Sequence, residues 1–429
     1  MSRTFYAVLL ACAAFICSLA VSRAAEEGAL SGTFTDWSHH PAIAYSAAAG
    51  HDPIGELSDQ IRDGKVSLRR DGASGYLRSV LDALHVPVES QIMIFNPDSV
   101  QMRRITPTNP RSLFFNDRVA IGWVRGGFIE IAAQDPSQGV VFYRLEQAFV
   151  GAPHFQREDD CLTCHYSYGT VGVPGMLARS TQQSNVTHRL AFDKRWGGWY
   201  VTGSTGAAPH LGNIDLKHIF DDARPIDTHN WMSLDGKFDL DGYLTPHSDV
   251  VALMVFEHQM GMMNLLTRIG WEARVTDFRR GRTAEQLRAA GDDPADVPVP
   301  LDAAAREVVD YMLFVDEAPM PNPFRGSTGF TEAFAAQGPR DSRGRSLRDF
   351  DLTGRMFRHP LSYMIYSPLF DNLPASARDA IYARLWTVLS GKDRSKEYTR
   401  LTAADRTAIV EILRATKAGL PSYFTPGRS

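Results

Sequence analysis

The segment Cys161-Leu162-Thr163-Cys164-His165 concentrates more reactive chemistry than any other stretch of the chain. Two thiols three residues apart, followed at once by an imidazole, form the attachment signature of c-type haem. Each position has a reason. The thiols reach the two vinyl groups of one porphyrin and form thioethers. His165 is then held beneath the iron as its proximal ligand, through a neutral imidazole nitrogen. Competing uses of the same residues need more than the sequence offers. A structural disulfide between Cys161 and Cys164 suits an oxidising compartment. A thioredoxin-like pair needs a βαβ setting, and a zinc site needs two further ligands. The chain shows neither a βαβ pattern here nor a second Cys pair in its body.

The remaining cysteines, Cys12 and Cys17, fall in residues 1–24, which read as a signal peptide. Arg3 supplies the positive start, residues 6–21 the apolar stretch, and Ser22-Arg23-Ala24 the small residues of a cleavage site. The apolar run is shorter than the roughly 18–20 residues of a membrane span. Leu9-Leu10-Ala11-Cys12 loosely resembles a lipidation box, but very little apolar sequence precedes Cys12. The expected destination is the periplasm or another exported compartment, where covalent haem attachment takes place. Removing the leader spends Cys12 and Cys17, so Cys161 and Cys164 become the only thiols of the mature chain. It also takes Arg3 and Arg23 from the 45 basic residues, leaving 43 against 49 acidic ones and moving the net charge from −4 to −6. That sign removes the electrostatic reason to expect nucleic acid as a partner. No later segment is apolar for long enough to span a bilayer, so no transmembrane segment is expected in the mature chain.

Haem iron needs a decision about its sixth position: electron carriers close it, whereas enzymes and gas binders leave it open. The candidate distal ligands are Met176, twelve residues beyond Cys164, together with His210 and His258. His188, His247 and the group Met260, Met262 and Met263 complete the set. On a helix beginning at Thr245-Pro246, His247 and His258 fall within roughly 20° of one another, with Met254 and Met262 flanking His258 at four-residue steps. Buried histidines satisfied by hydrogen bonds, and methionines filling gaps, give the same pattern. A second metal held by His210, His247 and His258 would add a further redox centre.

The elements that must position these residues suggest an α+β fold, β-rich in the first half and helical in the second. Residues 25–90 read as an arm containing His39, His40 and His51, followed by short helices near 55–62 and 74–84. Residues 91–245 form the haem-attachment region. Strands are expected at 91–95, 119–125, 128–134 and 140–145, separated by turn signals such as Gly126-Gly127, and they imply an antiparallel meander. The Cys motif follows on a short helix or turn near Asp159-Asp160, and two more strands are expected at 190–193 and 199–202. Residues 246–429 form a helical region packing on the haem region, with helices expected from Thr245 to about Arg268, at 301–315, at 375–389, and from Thr402 to about Lys417. Residues 281–300 read as a surface connection, and Asp235, Asp239 and Asp241 as an ordinary acidic turn rather than a calcium loop.

The Cys161–His165 motif makes the chain resemble a c-type cytochrome in the broad sense, although about 135 mature residues precede it and over 260 follow. Further stretches resemble a family of exported bacterial proteins with a single haem-attachment motif. They are Phe115-Asn116-Asp117, Gly122-Trp123-Val124, the run Trp196-Gly197-Gly198-Trp199-Tyr200-Val201-Thr202-Gly203, His247-Ser248-Asp249 and Glu257-His258-Gln259. The resemblance implies one covalent haem c and no particular reaction. The function expected from the sequence is electron transfer with a redox partner protein or a small-molecule donor or acceptor. The alternative is a peroxidase-like or other small-substrate oxidoreductase with an open or displaceable sixth ligand.

Overall fold

The computed structural model describes residues 34–46, 50–147, 153–181, 185–217 and 230–424. The leader at 1–24 lies outside them. Two helices, α1 (Pro53–Arg62) and α2 (Leu77–Ala83), precede the strands β1 (Ile92–Ile94), β2 (Arg111–Phe115), β3 (Val119–Trp123), β4 (Ile129–Asp135), β5 (Gly139–Leu145) and β6 (Phe155–Arg157). The one-turn helix α3 (Leu162–His165) and strand β7 (Trp199–Tyr200) follow. The helices α4 (Val250–Arg279), α5 (Ala284–Ala289), α6 (Leu301–Met312), α7 (Phe330–Ala336), α8 (Pro368–Asp371), α9 (Ala375–Leu389) and α10 (Ala403–Thr416) make the second half. The fold is α+β, as the sequence implies.

Among the described residues the strands form one seven-stranded sheet in the order β6-β5-β4-β3-β2-β1-β7, every pair antiparallel. Tight turns make the meander possible. After β4, Asp135 accepts backbone N–H bonds from Ser137 and Gln138, folding the chain back on itself. The turn ends at Gly139, whose φ of +99° suits glycine and whose missing Cβ would stand 2.7 Å from the Pro174 carbonyl oxygen.

Alternation along the strands gives the sheet two different faces. Phe114, Ile121 and Ile131 are cross-strand partners on one face, and they pack with Ile54, Leu57, Leu77, Val80 and Leu81 of α1 and α2. The opposite face carries the rows Leu113–Gly122–Glu130–Arg144 and Phe115–Ala120–Ala132–Phe142. Its centre holds only Ala120, Gly122 and Ala132. Large residues on one side seal the sheet to its helices, and small residues on the other leave a shallow floor.

Across that floor lies α4, 30 residues long and therefore about 45 Å from end to end. Nearly all of it from Val250 to Val275 is buried, polar residues such as Glu257, Gln259 and Asn264 included, which is the pattern of a helix enclosed on all sides. Phe256 packs on Phe115 of the sheet at 4.9 Å between ring centres. The same core continues from the sheet through α4 into α6, α9 and α10, so the two halves of the chain share one hydrophobic interior. Asp249 caps α4, accepting from Val251 and Ala252 through one oxygen and from Ser327 and Thr328 through the other.

Several local expectations change. Residues 190–193 are not a strand. Arg195 donates to the carbonyls of Leu190 at 2.6 Å and His188 at 2.8 Å, so the segment winds around a guanidinium into a short 3₁₀ turn. Strand β2 was not anticipated. α4 starts four residues after Pro246 and runs eleven beyond Arg268, so His247 is not on it. Residues 281–300 contain α5. His40, expected in an exposed arm, is buried, with its Nε2 3.3 Å from the Asp292 carboxylate.

Candidate functional site

Strand β6 delivers the chain to the Cys motif. A 3₁₀ turn over Asp159–Cys161 and then α3 carry Cys161, Cys164 and His165. The two thiols are unbridged, Cys161 half-buried and Cys164 exposed. Burial, reinforced by the carboxylates of Glu130, Glu158 and Asp160, pushes the Cys161 thiol up to about 12. A thiol kept protonated in this way is poorly suited to thiolate exchange.

His165 is fixed by a reciprocal pair of bonds. Gly175 N–H donates to the His165 carbonyl at 2.9 Å, and His165 Nδ1 lies 3.0 Å from the Gly175 carbonyl oxygen. A carbonyl can only accept, so Nδ1 carries the proton and Nε2 keeps its lone pair. This is the tautomer an iron ligand requires, with an oriented second-shell bond. Burial holds the imidazole below its usual pKa, which keeps it neutral and available.

Gly175 is held in turn from α4. Asn264 accepts from Met176 N–H at 3.1 Å and donates to the Met176 carbonyl at 2.7 Å, pairing with the backbone as a strand would. A Cβ on Gly175 would stand 2.2 Å from Asn264 Oδ1. The loop from Gly169 to Met176 is thus clamped between the motif and the central helix.

Cys161, Cys164 and His165 open onto a cavity of about 430 Å³, within the roughly 300–1,000 Å³ range of cofactor and small-molecule sites. Its floor is the small-residue face of the sheet, with Leu113, Ala120, Gly122, Ala132 and Phe142. Phe256 and Met260 of α4, together with Met176 and Trp199, line the rest of its apolar part. The ring of His165 stands 4.9 Å from that of Phe142. Polar groups gather at the edges. Arg111 reaches across Gly122 to Glu130 at 2.7 Å, and a Cβ on Gly122 would come within 3.2 Å of the Glu130 carboxylate. Burial pushes Glu130 upward, but Arg111 and donors from Gln101 and Ser99 overcome it, holding the carboxyl below its usual range and ionised. Arg179 pairs with Asp98, and Arg144 with Glu158 and Glu146.

These residues fit a covalently attached haem. The floor is a cradle that larger side chains would fill. The motif stands at its edge, and the paired guanidinium side chains of Arg111, Arg144 and Arg179 are among the residues around it.

The candidate distal ligands separate. Met176 lines the cavity, as does Met260. His258 and His210 do not. His258 is enclosed, its Nδ1 3.1 Å from His188 Nδ1 and its Nε2 2.8 Å from the Ser362 hydroxyl. It stacks on Phe314 at 4.3 Å and on Tyr311 at 5.3 Å. His210 accepts from Gly212 N–H and packs against Trp196. His247 bonds to the Met232 carbonyl. His210, His247 and His258 form no shared cluster, and the described residues hold no group of three or more His, Cys, Asp or Glu placed for a metal ion. Asp239, of the acidic turn, pairs with Arg125 at 2.6 Å.

Sequence reasoning missed Arg111, Glu130 and the sheet floor. A signal was present: Ala120, Gly122 and Ala132 lie at spacings that put them on one face of adjacent strands. Set against protein-family models, curated proteins and solved structures, the chain matches none of them. Among the described residues no helix is long and apolar enough to cross a membrane.

Proposed function

We propose that this is an exported protein that carries one covalently bound haem c and passes single electrons to or from a partner. The observation that supports the reading most is convergence: both thiols and the imidazole of the motif face one apolar cavity floored by small residues. Bound there, haem supplies an iron centre that takes up and releases one electron, tuned by its axial ligands and by burial. Cys161 and Cys164 hold the porphyrin edge. His165 presents Nε2 in the orientation set by Gly175. Phe142, Phe256 and Trp199 keep water from the flat faces. Of the candidate ligands for the sixth position, Met176 and Met260 line the cavity, while the ring nitrogens of His258 are spent on His188 and Ser362. The redox partner is a protein or a small-molecule donor or acceptor.

One observation favours the oxidoreductase alternative. The cavity holds an ionised carboxylate beside a guanidinium, Glu130 with Arg111, a pair able to accept and return a proton beside a small bound substrate.

Expression of the full chain with cytochrome-maturation machinery, followed by a pyridine haemochrome spectrum, tests the haem. The spectrum of thioether-linked haem is expected, and two free thiols with no haem would overturn the reading. Carbon monoxide then separates the two functions. A reduced spectrum that ignores the gas supports a closed carrier, and a shifted Soret band supports the oxidoreductase.

A further inference from the structure

Between β1 and β2 the chain runs through Asp98-Ser99-Val100-Gln101-Met102, and its pattern of burial is inverted. The polar residues are tied down. Gln101, only 2% exposed, donates through Nε2 to the Phe128 carbonyl at 3.1 Å and to Glu130 at 3.0 Å. Its Oε1 accepts from Phe128 N–H at 3.0 Å. Ser99 donates to the same Glu130 oxygen at 3.0 Å, and Asp98 pairs with Arg179. The apolar residues on either side of Gln101 are left in water: Val100 is 60% exposed and Met102 57%. One exposed apolar side chain needs no explanation, but a buried polar residue between two exposed apolar ones reverses the usual order.

Place gives the reversal a meaning. Val100 and Met102 both line the cavity while more than half of each remains open to water, so they stand at its mouth. The other large apolar side chains exposed among the described residues are Tyr168, Met232, Val297 and Tyr423, and none of these lines it. The loop is also tied to the floor. Glu130, which holds Ser99 and Gln101, is the carboxylate that a Cβ on Gly122 would approach at 3.2 Å. An apolar body in the cavity would cover Val100 and Met102, and burying that surface is favourable in proportion to its area.

Resting on the haem reading above, we propose that Val100 and Met102 form an apolar lip that covers the porphyrin where the cavity meets solvent and raises the reduction potential of the iron. Ferric iron carries one more positive charge than ferrous iron, and water stabilises the more highly charged form better. A lip that keeps water away therefore favours the reduced state. Met102 acts here by its apolar bulk, and its thioether takes no part in ligation.

The test uses the full chain matured with haem-attachment machinery. Its pyridine haemochrome spectrum comes first; if that shows no haem c, the parent reading falls and the lip with it. Where haem c is present, reduction potentials are measured by spectroelectrochemical titration, with circular dichroism as the check on folding. Val100→Ser with Met102→Ser is expected to lower the potential while leaving the circular dichroism native. Met102→Leu, which stays apolar but has no thioether, is expected to keep the wild-type value. So is Val297→Ser, a change at an exposed apolar residue away from the cavity. Should the serine pair disturb folding, Val100→Thr, nearly the same shape but polar, is expected to give a smaller shift in the same direction. A natively folded serine pair with a potential equal to or above the wild type overturns the lip and leaves the haem assignment standing. A Met102→Leu variant that falls as far as the serine pair overturns it too, because the thioether rather than apolar cover would then be responsible.

Discussion

Gly175 joins three things in one residue: its carbonyl sets the His165 tautomer, its N–H fixes the His165 backbone, and its bare Cα admits Asn264. Adding one methyl group therefore reaches the motif indirectly. Gly175→Ala is expected to displace Asn264 from both of its bonds to Met176 and to cost about 2–4 kcal/mol, read from denaturant unfolding, with a lower yield of attached haem. His258 makes the contrasting case. Its ring nitrogens are spent on His188 and Ser362, away from the cavity, so His258→Ala is expected to lower stability by about 2–4 kcal/mol and to leave the haem spin state as it was. A spin-state change in that variant would return His258 to the list of ligands. At this scale the sequence was legible where chemistry is contiguous. Cys161, Cys164 and His165 stood out because they are contiguous in the chain, and the structure places all three at one cavity. Asn264 was not, because its partner at Met176 is 88 residues away and nothing in an Asn inside an apolar helix says which backbone it will pair with.

The sheet and α4 decide whether a flat cofactor has room. The pleat puts Ala120, Gly122 and Ala132 on one face and Ile121 and Ile131 on the other, so a single substitution can close the floor without touching the opposite packing. Gly122→Val is expected to press on Leu113 and Glu130, which a bare Cβ would already approach at 3.1 and 3.2 Å. Haem content should fall severalfold while the far-ultraviolet circular dichroism of the sheet and helices persists, and undiminished haem content would show that the floor is not where the porphyrin lies. The strands β3, β4 and β5 were readable from runs of Val, Ile, Phe and Tyr between turn residues. Strand β2 was hidden: Arg-Ser-Leu-Phe-Phe after Pro110 has no clear alternation, because Leu113 and Phe115 face the cavity side and Phe114 the helices, and both faces are apolar there. α4 was readable as a helix but not at its ends. Pro246 gave a plausible first turn, yet Asp249 makes the capping bonds, and Trp271, Ala273 and Val275 extend the buried stripe well past Arg268.

At the scale of the molecule, one core running from the sheet through α4 into α10 implies that neither half is a folding unit by itself. Thermal or denaturant unfolding followed by tryptophan fluorescence and by circular dichroism is expected to give coincident transitions; two separated transitions would contradict a shared core. The interior also predicts a response to acid. Burial lowers His258 to about 3 and His188 well below its usual 6.5, so both are neutral in the native state while an unfolded chain would protonate them. The contribution of His258 is complete above pH 6.5 and is lost as the pH falls from there toward about 3, by up to about 1.4 kcal/mol per pH unit, and that of His188 is lost in the same direction. Comparing the wild type with His188→Gln in denaturant titrations across that window checks the sign, with the variant showing the flatter slope. The α+β division was visible in the sequence from the switch between strand-like and helix-like periodicity. The core shared between the halves was not, since it depends on which faces meet.

The clamp between Asn264 and Met176 also fixes an order of events in time. The motif is contiguous and complete in an unfolded chain, but the loop carrying Gly175 cannot settle until Asn264 has reached it and α4 has closed over the sheet. Such long-range contacts form late, because the loop they close must be ordered first. For an interval the thiols therefore stand on an open strand end with no roof above them. An attachment enzyme would meet an accessible substrate during that window, and a chain that folded shut before modification would hide its own acceptor groups.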